Sequence, residues 1–484
     1  MPLDVDLKIQ RTELLYQESP FCGLTLKNSG PDTVEVANPR GRPYGVTLRI
    51  IERKTGIEVL RRKPLGRGRQ PGYQPLAPGQ SADVLFPLLD VAQRLVPGEY
   101  DISAIYDMKG GATAESKALT ISVAPTTPRG LTLVSGSGGA ASVLYGAWVN
   151  VGEPPTATRS RFEILRGGGV AGTWSIAECP LRARPVLSAP ANRTISHTHW
   201  VAWMEDKTLR FTHFDGMLGA LEVGSLELSV PAATLVEPLY TESVDDPSAR
   251  PDGAALLVVS NPEGSRWQLQ VARLTPTAAA VTTVATAGGQ RPVWIKSHTC
   301  KDRSHLATYI QPSGENVTLS AAPWPKPGGM GVEGKQLAEW RGKLLAASAR
   351  LESDDVIHGA AAVLSGPQPE TRLDVYGWEL TPAGDFRQDD PVRVPWDMQS
   401  EIEETIVDVD KDVRPVALVK DTKGRWSLFR NEEKLELADE IATTKLPIGL
   451  AFLGMRTVLI CGKLGGGFEV VQPDGKPLPP RRPI

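Results

Sequence analysis

Four short stretches carry residue types and spacings that could do chemistry, and each departs from its pattern at a residue the chemistry requires. GMGVEGKQ, residues 329–336, has the Gly-x4-Gly-Lys spacing with which backbone N–H groups and a lysine cradle phosphate. Gln336 stands where a Ser or Thr would hold Mg²⁺, and prolines break the preceding SAAPWPKPG, so a glycine-rich connection is expected there. In SHTHW, His197 and His199 fall on one face of a strand because side chains alternate with period two, an arrangement that can share a metal. No third ligand follows at a diagnostic spacing. His298, Cys300 and His305 in HTCKDRSH are close in the chain, and there too strand or loop histidines are the plainer reading.

Asp408, Asp410 and Asp412 begin an oxygen-rich calcium loop, but its sixth and twelfth positions are Val413 and Val419 instead of glycine and an acidic ligand. With Glu401, Glu403 and Glu404 just upstream, a solvated acidic face is expected. No Gly-x-Ser-x-Gly elbow occurs, since in SGSGG Ser135 stands where the first glycine belongs. The expectation is therefore binding without chemistry: no catalytic residue, no cofactor and no metal ligand.

The strongest charge feature is the run Arg49, Arg53, Lys54, Arg61, Arg62, Lys63, Arg67 and Arg69, opposed only by Glu52 and Glu58. No aromatic residue is interleaved for base stacking, so nucleic acid is not the expected partner. Arginine forks bind carboxylates bidentately, and the expected partner is a protein with an acidic surface. The tail KPLPPRRPI contains Pro-x-x-Pro-x-Arg and reads as extended, solvated chain.

The elements that must position these residues are short strands. The 484 residues include 47 glycines and 41 prolines dispersed along the chain, a pattern of many turns, and the net charge of −3 excludes a polyanion binder as a whole. Four cysteines without CxxC pairing, Cys22, Cys179, Cys300 and Cys461, read as buried thiols. The start of the chain shows no secretory signal, so a cytoplasmic protein, or part of a particle assembled in the cytoplasm, is expected. The apolar stretch 446–462 contains Pro447 and Arg456 and reads as a hairpin, so no membrane span is expected. Oligomeric state is not legible.

All eleven tryptophans follow residue 130, which marks a boundary in VAPTTPRG, residues 123–130. Residues 1–124 hold seven or eight alternating runs, among them CGLTLKN, GVTLRIIE and YDISAIY. The phrase LVPGEYDISAIYD resembles the penultimate strand of an immunoglobulin-like or fibronectin-type sandwich. Tyr100 stands where a corner tyrosine would hydrogen-bond back to the chain. That resemblance implies a fold and no activity.

Beyond it, one strand–turn–strand phrase recurs at 142–166, 197–214, 254–274, 305–322, 358–380, 415–429 and 457–471, at intervals of about 53 residues. NPEGSRW and DTKGRW, with Trp267 and Trp426, are two copies three repeats apart. Units of this size with four short strands resemble the blades of a β-propeller. The expected fold is all-β: a sandwich over 1–124, a propeller over 131–474 with most naturally seven blades and six or eight still open, and a Pro-rich tail over 475–484. The last unit is short, and LTLVS at 131–135 is expected to complete it. The function expected from these features is a non-enzymatic protein-interaction or assembly component. The alternatives are a propeller hydrolase or lyase acting on sugar or peptide, and a surface- or carbohydrate-binding component of a phage-like or injection particle.

Overall fold

The structure, a computed structural model, describes residues 3–476 except 17, 19, 38–44, 60–71, 89–94, 137–141, 153, 156, 167–168, 180–185, 189–197, 206–207, 216–220, 230–232, 241–252, 261–265, 276–277, 289, 301, 303, 325–333, 353, 367–370, 397–400, 411, 454–455 and 465–466. The chain is nearly all β. No helix among the described residues is long and apolar enough to cross a membrane.

The N-terminal strands alternate buried and exposed residues, so each gives one face to a shared core. In Phe21–Asn28 the buried positions are Cys22, Leu24, Leu26 and Asn28. This strand lies between Leu3–Ile9 and Ser81–Pro87 in one sheet. A second sheet orders Glu13–Leu15, Leu119–Ala124, Gly98–Asp107 and Val46–Glu52, with Thr113–Glu115 paired to Gly98–Asp107. Phe86 from the first sheet and Ile102 and Tyr106 from the second share one core. Each fully buried large apolar side chain there stabilises by roughly 1.5–3 kcal/mol. Tyr100 is buried, and its hydroxyl donates to the Val96 carbonyl at 2.8 Å, the bond back to the chain that its place in the sequence suggests.

Leu119–Ala124 ends these sheets and Thr126–Gly136 opens the next, so Pro125 alone separates them. Among the described residues seven antiparallel sheets then follow, each wound in chain order. The seven hairpins read from the sequence form the second and third strands of these sheets, as in Pro415–Asp421 with Trp426–Arg430. Trp267 and Trp426 both lie at the start of third strands, opposite Ser260 and Lys420 at the ends of second strands. Residues 261–264, the turn of the first copy, lie outside the described residues. The stretch 446–462 is the hairpin Ile448–Leu453 with Arg456–Gly462.

The first strand of each sheet touches the first strand of the next, and Ile448–Leu453 of the seventh touches Thr126–Gly136 of the first, closing a circuit. Residues 131–135 do not complete the seventh sheet. They pair with Ser142–Val151 in the first sheet, and among the described residues the seventh has three strands. Side-chain packing closes the circuit: a Cβ on Gly449 would fall 2.1 Å from Leu131 Cδ1, so the absent side chain is what lets the two strands abut. Leu15 of the N-terminal sheets is buried in the same apolar cluster, against Ala147, Val149, Ala451 and Phe468.

Candidate functional site

Lys343–Leu351 is the first strand of the fifth sheet and Ile402–Val409 the first of the sixth. Its sequence, KLLAASARL, is rich in small residues, and at its end a long arginine crosses to the neighbouring sheet. Arg350 Nε donates to Glu352 Oε1 at 2.6 Å, Nη1 donates to Asp408 Oδ1, and Nη2 donates to the Val409 carbonyl. The guanidinium carbon also lies 5.3 Å from the centre of the Phe452 ring, on the first strand of the seventh sheet. Three consecutive inner strands thus meet at one cation.

The side chains of Arg350, Glu352 and Asp408 are exposed by only 11, 7 and 6 %. Burial pushes the Asp408 carboxyl above its ordinary range, and Arg350 offsets this only in part. The arginine is held above its ordinary value despite its own burial, by Asp408 and Glu352, so it stays charged. Ser348 Oγ (3.4 Å), the Val409 N–H (2.8 Å) and Arg350 all donate to Asp408 Oδ1. Oδ2 is engaged by none of these three bonds.

Beside this cluster a second buried carboxylate organises the turn after the inner strand of the sixth sheet. Asp410 Oδ1 accepts the N–H groups of Asp412 (2.9 Å) and Arg414 (3.0 Å), while Oδ2 accepts Arg430 Nη2 at 2.7 Å and lies 3.2 Å from Arg414 Nε. Three non-glycine residues with positive φ occur among the described residues, Asp355, Val413 and Asn431. Two of them, Asp355 at φ 73° and Val413 at φ 61°, lie in the turns that follow Arg350 and Asp408. A β-branched residue is strained in that region, at a cost of roughly 1–3 kcal/mol, and such strain gathers at functional sites.

The acidic face read from the sequence is thereby corrected. Asp408, at the end of an inner strand that meets the fifth sheet, is buried and committed to Arg350, and Asp410, in the turn after it, is buried and committed to Arg414 and Arg430. Glu401, Glu403 and Glu404 are the exposed part of that segment, and Lys420 lies 3.2 Å from Glu403.

Among the described residues the other sequence candidates do not converge on a metal-ligating group. His298 is buried with Nε2 3.0 Å from Thr308 Oγ1, Cys300 is a buried free thiol, and His305 packs on the Trp324 ring at 4.8 Å. His197 lies outside the described residues, as does the side chain of His199 on Thr198–Glu205. Residues 329–333 are likewise outside them, while Lys335 opens a strand and donates to the Gly384 carbonyl at 3.3 Å. No group of three metal-ligating side chains occurs among the described residues.

Of the basic run, Arg49 pairs with Glu115 at 2.7 Å, Arg53 lies 3.6 Å from both Glu99 and Asp101, and Lys54 is exposed. Arg61, Arg62, Lys63, Arg67 and Arg69 lie outside the described residues. Arg350 and Glu352 were not among the residues singled out in the sequence. Their only local signal is their position two residues apart at the end of an alanine-rich strand, which points inward only once the circuit is known.

No family model matches the chain, and no curated protein matches it. Solved structures similar to it include an endo-arabinase from Bacteroides thetaiotaomicron, 9% identical over 52% of this chain and 94% of that one, TM-score 0.31. BBS1N in complex with ARL6DN is 13% identical over 67% of this chain and 90% of that one, TM-score 0.36. The NanB sialidase from Streptococcus pneumoniae is 8% identical over 87% of this chain and 90% of that one, TM-score 0.29. The arabinase, the sialidase and a mannose phosphorylase from Leishmania mexicana also similar to this chain are enzymes, against the expectation of a non-enzymatic interaction or assembly component, which is withdrawn. At these identities and TM-scores no activity is carried over from any of them.

Proposed function

We propose that the chain is an immunoglobulin-like sandwich followed by a seven-bladed propeller, and that the propeller hydrolyses a glycosidic bond at the Arg350 cluster. The sandwich reading is supported by the parallel pairing of Glu13–Leu15 with the last strand, Leu119–Ala124, and by the corner bond of Tyr100. The propeller reading is supported by seven successive meander sheets and the closed circuit of first strands.

The observation that carries the enzymatic reading is the pair of buried carboxyls on one guanidinium, Asp408 and Glu352, at the meeting of three inner strands. Glycosidic cleavage needs one carboxylic acid to protonate the leaving oxygen and a second carboxylate to act as base or nucleophile. Asp408 suits the acid role because burial raises its proton affinity and the three donors all bind Oδ1, so none of those bonds engages Oδ2. Glu352 is left the second role, and Arg350 holds the two in place.

The test is incubation of the full chain with a panel of polysaccharides and aryl glycosides, following the release of reducing ends or phenol. Turnover that falls by at least about 100-fold in Asp408→Asn and in Glu352→Gln supports the proposal. Absence of turnover across the panel, or full activity in Asp408→Asn, overturns it.

A further inference from the structure

His358, on the second strand of the fifth sheet (Ile357–Ser365), stands directly opposite Arg350 in the ladder and directly opposite Glu379 on the other side. Registered partners project from the same face of a sheet, so Arg350, His358 and Glu379 form one row, continued by Arg387 opposite Glu379. The imidazole Nε2 is 3.5 Å from Glu379 Oε1, and the His358 side chain is 8 % exposed. Nδ1 is buried without a hydrogen-bond partner among the described residues. Neighbouring residues of the same face, Ala360 and Ala362, pack with Val407, Val409 and Val413, so the row faces the sixth sheet. There a Cβ on Gly377 would fall 2.7 Å from the Val413 carbonyl, which puts the turn bearing Asp410, Asp412 and Arg414 against this part of the fifth sheet.

We infer that His358 sets the charge of the Arg350 cluster: neutral, it leaves the guanidinium committed to Asp408 and Glu352, and protonated, it adds a second cation one strand away. The ionisable groups that face it are Arg350 on the first strand, Glu379 and Arg387 outward along the row, Asp408 and Glu352 through Arg350, and Asp410, Asp412 and Arg414 on the turn of the sixth sheet. Asp410 is matched by Arg414 and Arg430, and Arg387 by Asp389 at 3.3 Å. Glu379 and the Asp408–Arg350 pair are therefore the groups left to sense the proton on His358. Because the second charge is positive, it favours the ionised form of Asp408. By reciprocity, the ionised Asp408 favours protonated His358 by the same factor.

The inference rests on the same cluster as the proposed hydrolysis but is read without substrate, so failure of either leaves the other standing. The experiment is a carbon-13 NMR titration of the Asp408 carboxyl in the full chain, compared with His358→Gln. The expected result is a midpoint higher by about half a unit or more in the variant, because a cation has been removed. A reciprocal titration of the His358 ring in Asp408→Asn is expected to show its midpoint lowered by a similar amount, and it reads the same coupling if His358→Gln does not fold. Midpoints unchanged by either substitution would overturn the inference.

Discussion

Arg350 of the fifth sheet lies over the ring of Phe452 of the seventh, with 5.3 Å between the guanidinium carbon and the ring centre, and on the way it binds Asp408 of the sixth. One side chain thereby ties three sheets together at the inner edge of the circuit. Replacing it by alanine leaves two buried carboxyls without their cation. The expected loss is about 3–5 kcal/mol, since breaking a buried pair strands its partner. Urea denaturation of Arg350→Ala checks this, and Arg350→Ala with Asp408→Asn should recover part of the loss by removing the stranded charge.

A second expectation concerns acid. Burial, aided by Lys296, pushes the His298 imidazole down to about 3 from its ordinary 6.5. The native state thus excludes a proton that the unfolded chain takes up between those values, so unfolding binds a proton in that window. The stability that depends on neutral His298 is complete above about pH 6.5 and is lost as pH falls towards 3. Wild-type stability should therefore decline by about 1.4 kcal/mol per pH unit more steeply than that of His298→Gln below pH 6. Denaturant unfolding of both proteins across pH 4–8 measures the difference.

A third rests on a close approach within the fifth sheet. Trp378 is buried, and its indole crosses Gly359 so closely that a Cβ there would lie 2.1 Å from Cζ2. Neither the packed indole nor the strand can retreat far, so Gly359→Ala should cost about 1–3 kcal/mol through overpacking. A shift in the Trp fluorescence together with a lowered thermal midpoint would show it.

The sheets were more legible in the sequence than the site. The seven hairpins announce themselves because each has two apolar strand-sized runs about a turn of polar residues, often with glycine, as in Asp421–Gly424 with Gly424 at φ 80°. Tyr100 was legible because the bond to Val96 spans four residues. Arg350 and Asp408 were not, because their meeting depends on how successive sheets are arranged around the circuit, and no local pattern encodes that. The three aspartates at 408–412 misled for the same reason. Alternating acids read as a solvated face until Arg350 of the fifth sheet is placed over Asp408 and Arg414 and Arg430 of their own sheet are placed over Asp410. The closure of the circuit was misjudged at residues 131–135, where contact between Leu131 and Gly449 is a matter of packing and leaves the hydrogen-bond ladder with the first sheet intact.

The proposed role of Asp408 as proton donor to a leaving oxygen is tested most directly by varying the leaving group. With a dinitrophenyl glycoside the departing phenol needs no proton, whereas a plain alkyl or sugar leaving group does. The predicted result is that Asp408→Asn keeps most of the wild-type rate on the dinitrophenyl glycoside and loses at least about 100-fold on the unactivated one. Equal loss on both, or none on either, would contradict it.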